Sequence, residues 1–498
     1  MSTKPSQKRI EKVSSDSSVL SFDLLSNLTY MAAIGVGGAP RDQIMEWTIR
    51  QEYKTVPFFR QVYLLAKRTG FEYARAFQMV ARRAKADTVK SLLLRFASAI
   101  SSGYPETDFL TEEAKVEREQ YINGYYRSLE TVAKWGDAYA ALLVSVSLVV
   151  VVAMISTMLS EISEIFVLAL AVTMFFVTGF GVYIIYRTSP YEVKTYKNKR
   201  GPVARQWAIR CFTLGAPIGA MLAAVLIVTT NIGLAVLVFG FSILPAGIFA
   251  FIDDSKMNKL DEETASFIRA LGNVSASLGS TVANALAKLD RRSMGTLEPY
   301  IQRLQVRLRS QISPDLCWEA FRDEVGCELM NRSTRMLVDG IALGGSADKV
   351  GAIAAEYAMD ASLMRARRNV SATPFAMLTI PLHFAMTALM VFILEIMKAF
   401  NFRITEAVTE LENQSTGGAL GLLPTIPVFQ PQDMTLISGL TISAVLAYTV
   451  SNALAPAFAR GGHPLNAALY GAITCIMTGF NMLVIPPVAS SILLTSTV

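Results

Sequence analysis

The sequence predicts an all-α polytopic membrane protein, in which duplicated cytosolic helical bundles are followed by spans and about seven transmembrane helices occur in all. Three observations carry that expectation. Only 17% of the 498 residues are charged and 52% are hydrophobic, against about 25% charged in soluble domains. No charged residue occurs between Glu164 and Arg187, between Arg210 and Asp253, or after Arg460. Two polar regions carry the same markers in the same order, 209 residues apart (267 − 58).

The elements follow in order. Met1 to Ser21 is rich in Ser and Lys and lacks the apolar core of a signal peptide, so residues 1–21 read as a disordered cytosolic tail. Residues 22–137 form the first bundle, where Phe58, Val62, Leu65, Phe71, Ala74, Phe77 and Val80 recur at helical spacing. Gly70 and Ser102-Gly103-Tyr104-Pro105 break its helices, and a charged helix runs from Glu106 to Trp135. A bilayer-spanning helix needs about 20 mostly apolar residues. Region 138–252 supplies four such spans (138–160, 165–186, 208–229 and 231–252) around a basic loop, 187–207. The second bundle, 253–373, carries the stripe Leu271, Val274, Leu278, Val282 and Leu286, a helix start at Asp315-Leu316-Cys317-Trp318, and a break at Gly344-Gly345. Region 374–498 holds spans 374–397, 435–458 and 465–486, with an extracellular loop at 399–433. Pro217, Pro245 and Pro381 fall inside spans, where neighbouring helices accommodate them.

Orientation follows from the basic residues, which concentrate on the cytoplasmic side. The stretch from Arg187 to Arg210 has seven basic residues and one acid, Glu192. With that stretch inside, both bundles are inside as well, along with 44 of the 46 Lys and Arg. The exterior keeps only Lys398 and Arg403. The expected placement is the plasma membrane, multi-pass, with the N-terminus cytosolic and the C-terminus extracellular. The basic balance is then a topology signature and gives no reason to invoke nucleic acid.

The duplication rests on Phe58 with Phe267, Arg60 with Arg269, Gly70 with Gly279, Ala76 with Ala285, and Arg82-Arg83 with Arg291-Arg292. Further on, the Ser101-Ser102-Gly103 break aligns with Leu343-Gly344-Gly345 at an offset of 242 (345 − 103), which gives the second copy about 33 extra residues. Gly70, Gly103, Gly279, Gly344 and Gly345 are the expected helix breaks.

No catalytic chemistry is visible. There is no G-x-x-x-x-G-K-[ST] loop, and Gly35-Val36-Gly37-Gly38 lacks the lysine that would let it hold phosphate. The four cysteines, Cys211, Cys317, Cys327 and Cys475, form no C-x-x-C pair. Neither a metal nor a cofactor is expected. His383 lies inside a span, either as a proton-relay group or as a polar group hydrogen-bonded within the bundle. Gly215, Ala216, Gly219, Ala220, Ala223 and Ala224 give the third span a small-residue face, suited to packing within the chain, in a homodimer or against a partner helix. Asn413-Gln414-Ser415 is a glycosylation sequon on the expected outer side, although such triplets are common by chance.

The Phe58-Phe59-Arg60 and Phe267-Ile268-Arg269 openings, Gly70 with Gly279, the Ala99-Ile100-Ser101-Ser102-Gly103 break and the Leu129-to-Tyr139 approach to the membrane resemble the type II secretion system F family. The stretch Met154-Ile155-Ser156-Thr157-Met158-Leu159 and the extra hairpin of spans are similar to its archaeal branch, the assembly platforms of type IV pili and archaella. That resemblance implies a non-enzymatic platform. It implies a hexameric secretion ATPase on the cytosolic side, pilin or archaellin subunits in the membrane, and a homodimer. On this reading Arg82, Arg83, Arg291 and Arg292 are candidate ATPase-binding residues; the alternative is favourable placement of cations at helix ends. The rival class, a secondary transporter, usually places ionisable groups at mid-membrane and builds its repeats from spans. Here the spans hold almost none, and bundles lead the repeats.

Overall fold

The computed structural model describes residues 17–159, 164–196, 201–229, 231–414 and 434–494. Among them the chain is helical, and one isolated antiparallel bridge, Thr195 with Cys327, is the only β pairing. Seven helices among the described residues are long and apolar enough to cross a membrane. The expected fold class therefore holds. The chain divides into a polar unit (Met1–Ser128, Pro190–Pro202 and Asp253–Arg367) and a span-bearing unit (Leu129–Ser189, Val203–Ile252 and Arg368–Val498).

The polar unit is organised around α1 (Ser17–Gly35). From Leu20 to Gly35 every residue except Ser21 is buried. A helix apolar on all sides belongs in a core, and its buried hydroxyls are satisfied locally: Ser26 and Thr29 donate to the carbonyls of Phe22 and Leu25. Composition assigns residues 17–21 to the tail, but they open this helix because Leu20 is already part of the core. Residues 1–16 lie outside the described residues.

Five helices follow: α2 (Arg41–Thr48), α3 (Val56–Thr69), α4 (Tyr73–Ala81), α5 (Asp87–Ser101) and α6 (Glu106–Leu159). The second copy uses the end of α9 (Ile232–Leu278), α10 (Val282–Lys288), α13 (Glu328–Ala342) and α14 (Ala347–Gln414). The offset seen in the sequence relates the helix ends Thr69 and Leu278 and the helix starts Tyr73 and Val282. Beyond α10 the offset changes. The starts Asp87 and Glu328, the ends Ser101 and Ala342, and the starts Glu106 and Ala347 all differ by 241 (328 − 87). The expected 242 is therefore corrected by one, and the extra segment of the second copy is shorter than expected by the same amount. That segment holds a 3₁₀ turn (Arg291–Leu297), α11 (Glu298–Arg309) and α12 (Pro314–Val325). One continuous core joins both copies, with Phe59, Phe77 and Phe96 from the first and Phe267, Trp318 and Phe321 from the second.

In the span-bearing unit the later parts of α6 and α14 and the first half of α9 meet α7 (Glu164–Thr188), α8 (Val203–Thr229), α15 (Met434–Arg460) and α16 (Asn466–Leu494). α15 packs on α7 and α16. The seam between α9 and α16 is made by glycines at a spacing of seven. A Cβ on Gly233 would lie 2.7 Å from Met482 Cβ, on Gly240 2.9 Å from Ile476, and on Gly247 2.5 Å from the Leu469 backbone. A seven-residue repeat keeps one face toward its partner, so the missing side chains let the two backbones approach closely. α8 is peripheral, with only Arg205, Ala208 and Gly219 buried. Its Gly215 and Gly219 face Ser242 of α9, so those two small residues are used inside the chain.

Candidate functional site: basic doublets, a buried arginine hub and a strap

The first basic doublet ends a helix. Arg82 caps α4, its N–H donating to the carbonyl of Gln78, and both Arg82 and Arg83 are exposed. The second doublet differs locally. Arg291 and Arg292 open the 3₁₀ turn, three residues beyond the end of α10, whose last turn carries Lys288 instead. Only the first doublet therefore has the helix-end geometry that favours a cation on its own account.

The break glycines fall into two kinds. Gly70, Gly103, Gly279 and Gly344 follow helix ends with φ of +70°, +69°, +51° and +90°, a region that only glycine enters without strain. Gly345 has no left-handed φ. A Cβ there would meet Val350 at 2.6 Å and the Gly340 carbonyl oxygen at 2.7 Å. Gly37 also closes on this turn, its would-be Cβ 2.5 Å from Gly345 N and 2.8 Å from Leu343 O. The glycine-rich end of α1 is thus committed to backbone contact with the second copy.

The polar unit also holds two largely buried charge networks. In the first, Arg332 of α13 is 4% exposed. Its Nη2 donates to Asp23 Oδ1 of α1 and its Nε to Glu328 Oε1, each at 2.8 Å, and its Nη1 donates to Ser26 Oγ at 2.5 Å. The guanidinium also lies over the rings of Phe22 and Tyr53, 4.5 and 4.9 Å from their centroids. Further along α13, Tyr30 donates to Asp339 Oδ2 at 2.7 Å. Burial raises the pKa of Asp339, and the Tyr30 hydrogen bond opposes that rise.

The second network fastens the α7–α8 connection. Residues 190–196 run extended beside the start of α13. The Tyr196 N–H donates to Gly326 O, and the Glu328 N–H, an unpaired helix-start donor, is capped by Lys194 O, both at 3.0 Å. Lys194 Nζ pairs with Asp254 Oδ1 of α9 at 2.7 Å, both residues buried. Arg365 of α14 holds Glu192 at 3.3 Å, Asp261 at 2.6 Å and the Val193 carbonyl at 3.0 Å. The Cys327 thiol donates to Asp261 as well; burial pushes its pKa up, so it is a structural thiol. Among the described residues the first copy has no such strap: α5 starts after Ala86 with no side-chain cap.

In the span-bearing unit the side chain of His383 is hydrogen-bonded at both ring nitrogens. Nδ1 accepts from the Asn452 amide at 3.1 Å, so Nε2 carries the proton and donates to Thr474 O at 3.1 Å. Asn452 in turn accepts from Tyr139 at 3.0 Å. His383 is the hydrogen-bonded bundle residue of the two alternatives open from sequence.

Two curated proteins match this chain. The Flagella accessory protein J of Methanocaldococcus jannaschii is 22% identical over 276 residues, 52% of this chain and 49% of that protein. The protein of the same name from Methanococcus voltae is 23% identical over 309 residues, 59% of this chain and 55% of that protein. The chain is a distant homologue of Flagella accessory protein J. It spans about half the length of the curated relatives it matches. No family model matches the chain, and no solved structure matches it. The name Flagella accessory protein J denotes an accessory part of flagella. The seven helices among the described residues that are long and apolar enough to cross a membrane make the chain a multi-pass membrane protein.

Proposed function

We propose that the chain is the membrane platform for assembly of an archaeal type IV pilus-like filament, an archaellum or an adhesive pilus. The polar unit lies in the cytosol and receives a hexameric secretion ATPase. The span-bearing unit engages pilin or archaellin subunits, and the platform itself hydrolyses no ATP. The observation that carries this reading is the distant homology to two proteins named Flagella accessory protein J. The strap supports it, since it fastens the connection between two spans to the polar unit that would receive the motor.

The ATPase contact is tested at the doublets. Basic patches steer an acidic partner and orient it. Charge reversal at Arg82 and Arg83, or at Arg291 and Arg292, is expected to weaken pull-down of the cognate ATPase, more at low salt than at high salt, with membrane insertion and melting unchanged. Unchanged capture across salt concentrations by a folded variant removes the doublets from the contact.

Topology is tested separately. In intact cells an impermeant thiol reagent is expected to modify a cysteine placed at Glu410 and to spare one placed at Arg309, in a background lacking the four native cysteines. Modification at Arg309 without cell lysis reverses the orientation and removes the motor from that side.

A further inference from the structure

A groove of about 550 Å³ opens in the polar unit along α6. Two carboxylates, Glu113 and Glu117, sit one turn apart on that helix, and both are buried. Arg95 of α5 forks onto Glu113, Nε to Oε1 and Nη2 to Oε2, each at 2.7 Å. This bidentate geometry commits the guanidinium to one acid. Glu117 lines the groove, is 8% exposed, and receives no hydrogen bond among the described residues. A buried carboxylate without a partner is costly. Burial accordingly pushes its pKa up to about 7; Arg95 opposes that rise and Glu113 adds to it.

The walls state what would relieve this. Tyr121 and Tyr125 present rings 6.1 Å apart, and Gln120 and Thr88 offer oxygen acceptors. Tyr191, which also lines the groove, already has the Lys54 ammonium 5.0 Å from its ring centroid. We propose that the groove binds an aliphatic primary amine, with its ammonium on Glu117 and its alkyl stem against the rings of Tyr121 and Tyr125. An ammonium brings three donors and the missing positive charge. Aromatic faces accept both the stem and the charge. An anion would meet Glu117. The amine is carried by a lysine side chain of a partner or is free in solution, and the chemistry is the same. The inference does not depend on the filament role.

The experiment is calorimetric titration of the full chain in lipid nanodiscs with putrescine and, separately, with Nα-acetyl-lysine methylamide. Saturable binding is expected at pH 8. Between pH 8 and pH 6 the ionised fraction of a group with a pKa near 7 falls about tenfold, and affinity is expected to fall with it. The other charged and titratable groups at or beside the groove are Arg127, Tyr121, Tyr125, Tyr191 and Lys54, with Arg95 and Glu113 behind. Glu117→Gln is expected to lose at least tenfold in affinity at pH 8 without lowering the melting temperature, because it removes a charge that burial disfavours. Glu119→Gln, an exposed acid on the same helix, is expected to change nothing. Binding of the lysine amide alone assigns the site to a partner's side chain, and binding of putrescine alone assigns it to a free amine. No binding of either by the folded protein overturns the proposal, as does equal binding by wild type and Glu117→Gln.

Discussion

Replacing Arg332 with methionine is expected to destabilise the polar unit by about 3–5 kcal/mol, the cost of removing one partner from a buried ionic cluster. The size follows from what is left behind. Asp23 and Glu328 both point their carboxylates at the vacated guanidinium, and Asp23 is itself only 4% exposed. The stacking on Phe22 and Tyr53 is lost as well. Lysine does not substitute, because a point charge on a flexible stem cannot fork onto two acids and cover two rings. Hydrogen exchange in α1 and α13 of the full chain measures the loss directly. Adding Asp23→Leu and Glu328→Gln to Arg332→Met is expected to recover most of it, since the stranded charges are then gone. Native-like protection in the single variant would show that water reaches the cluster and that the hub is not a source of stability.

A second large effect belongs to the strap. Lys194→Met leaves Asp254 buried without its counter-charge and is expected to cost about 3–5 kcal/mol. The exchanged pair, Lys194→Asp with Asp254→Lys, keeps the charges together and is expected to recover part of that loss; the coupling energy is read from the cycle. Melting of the purified protein checks the stability arm. Filament assembly in cells checks the other: Lys194→Met is expected to impair assembly and the exchanged pair to restore it in step with stability. A stable single variant with normal filaments would mean that the strap rests on the polar unit without holding it.

Much of this architecture is written locally, and that part is legible. Charge-free runs mark spans because lipid tolerates nothing else there, and Gly70 and Gly279 mark helix ends because both take a left-handed φ. The misalignment at the later break has a plain cause. Gly344 and Gly345 look alike in sequence, but only Gly344 is left-handed, and it pairs with Gly103. The strap leaves a readable signal that charge counting hides. Tyr191-Glu192-Val193-Lys194-Thr195-Tyr196 alternates with β-branched and aromatic residues, a strand pattern. Counted as one acid and one base of a loop, Glu192 and Lys194 give no hint that Lys194 is buried and that both are held in ion pairs. The glycine repeat at 233, 240 and 247 is likewise visible once a period of seven is sought. The Arg332 hub is not visible at all. Asp23 lies 309 residues before Arg332, and no local pattern links residues so far apart.

The extra segment between Arg291 and the start of α13, together with the strap that lies against Gly326 and Cys327, makes the two copies unequal in a definite way. One copy is enlarged and tied down and the other is bare, so the duplication supplies two distinguishable faces rather than one face repeated, and a partner that touched both copies would have to fit two different surfaces.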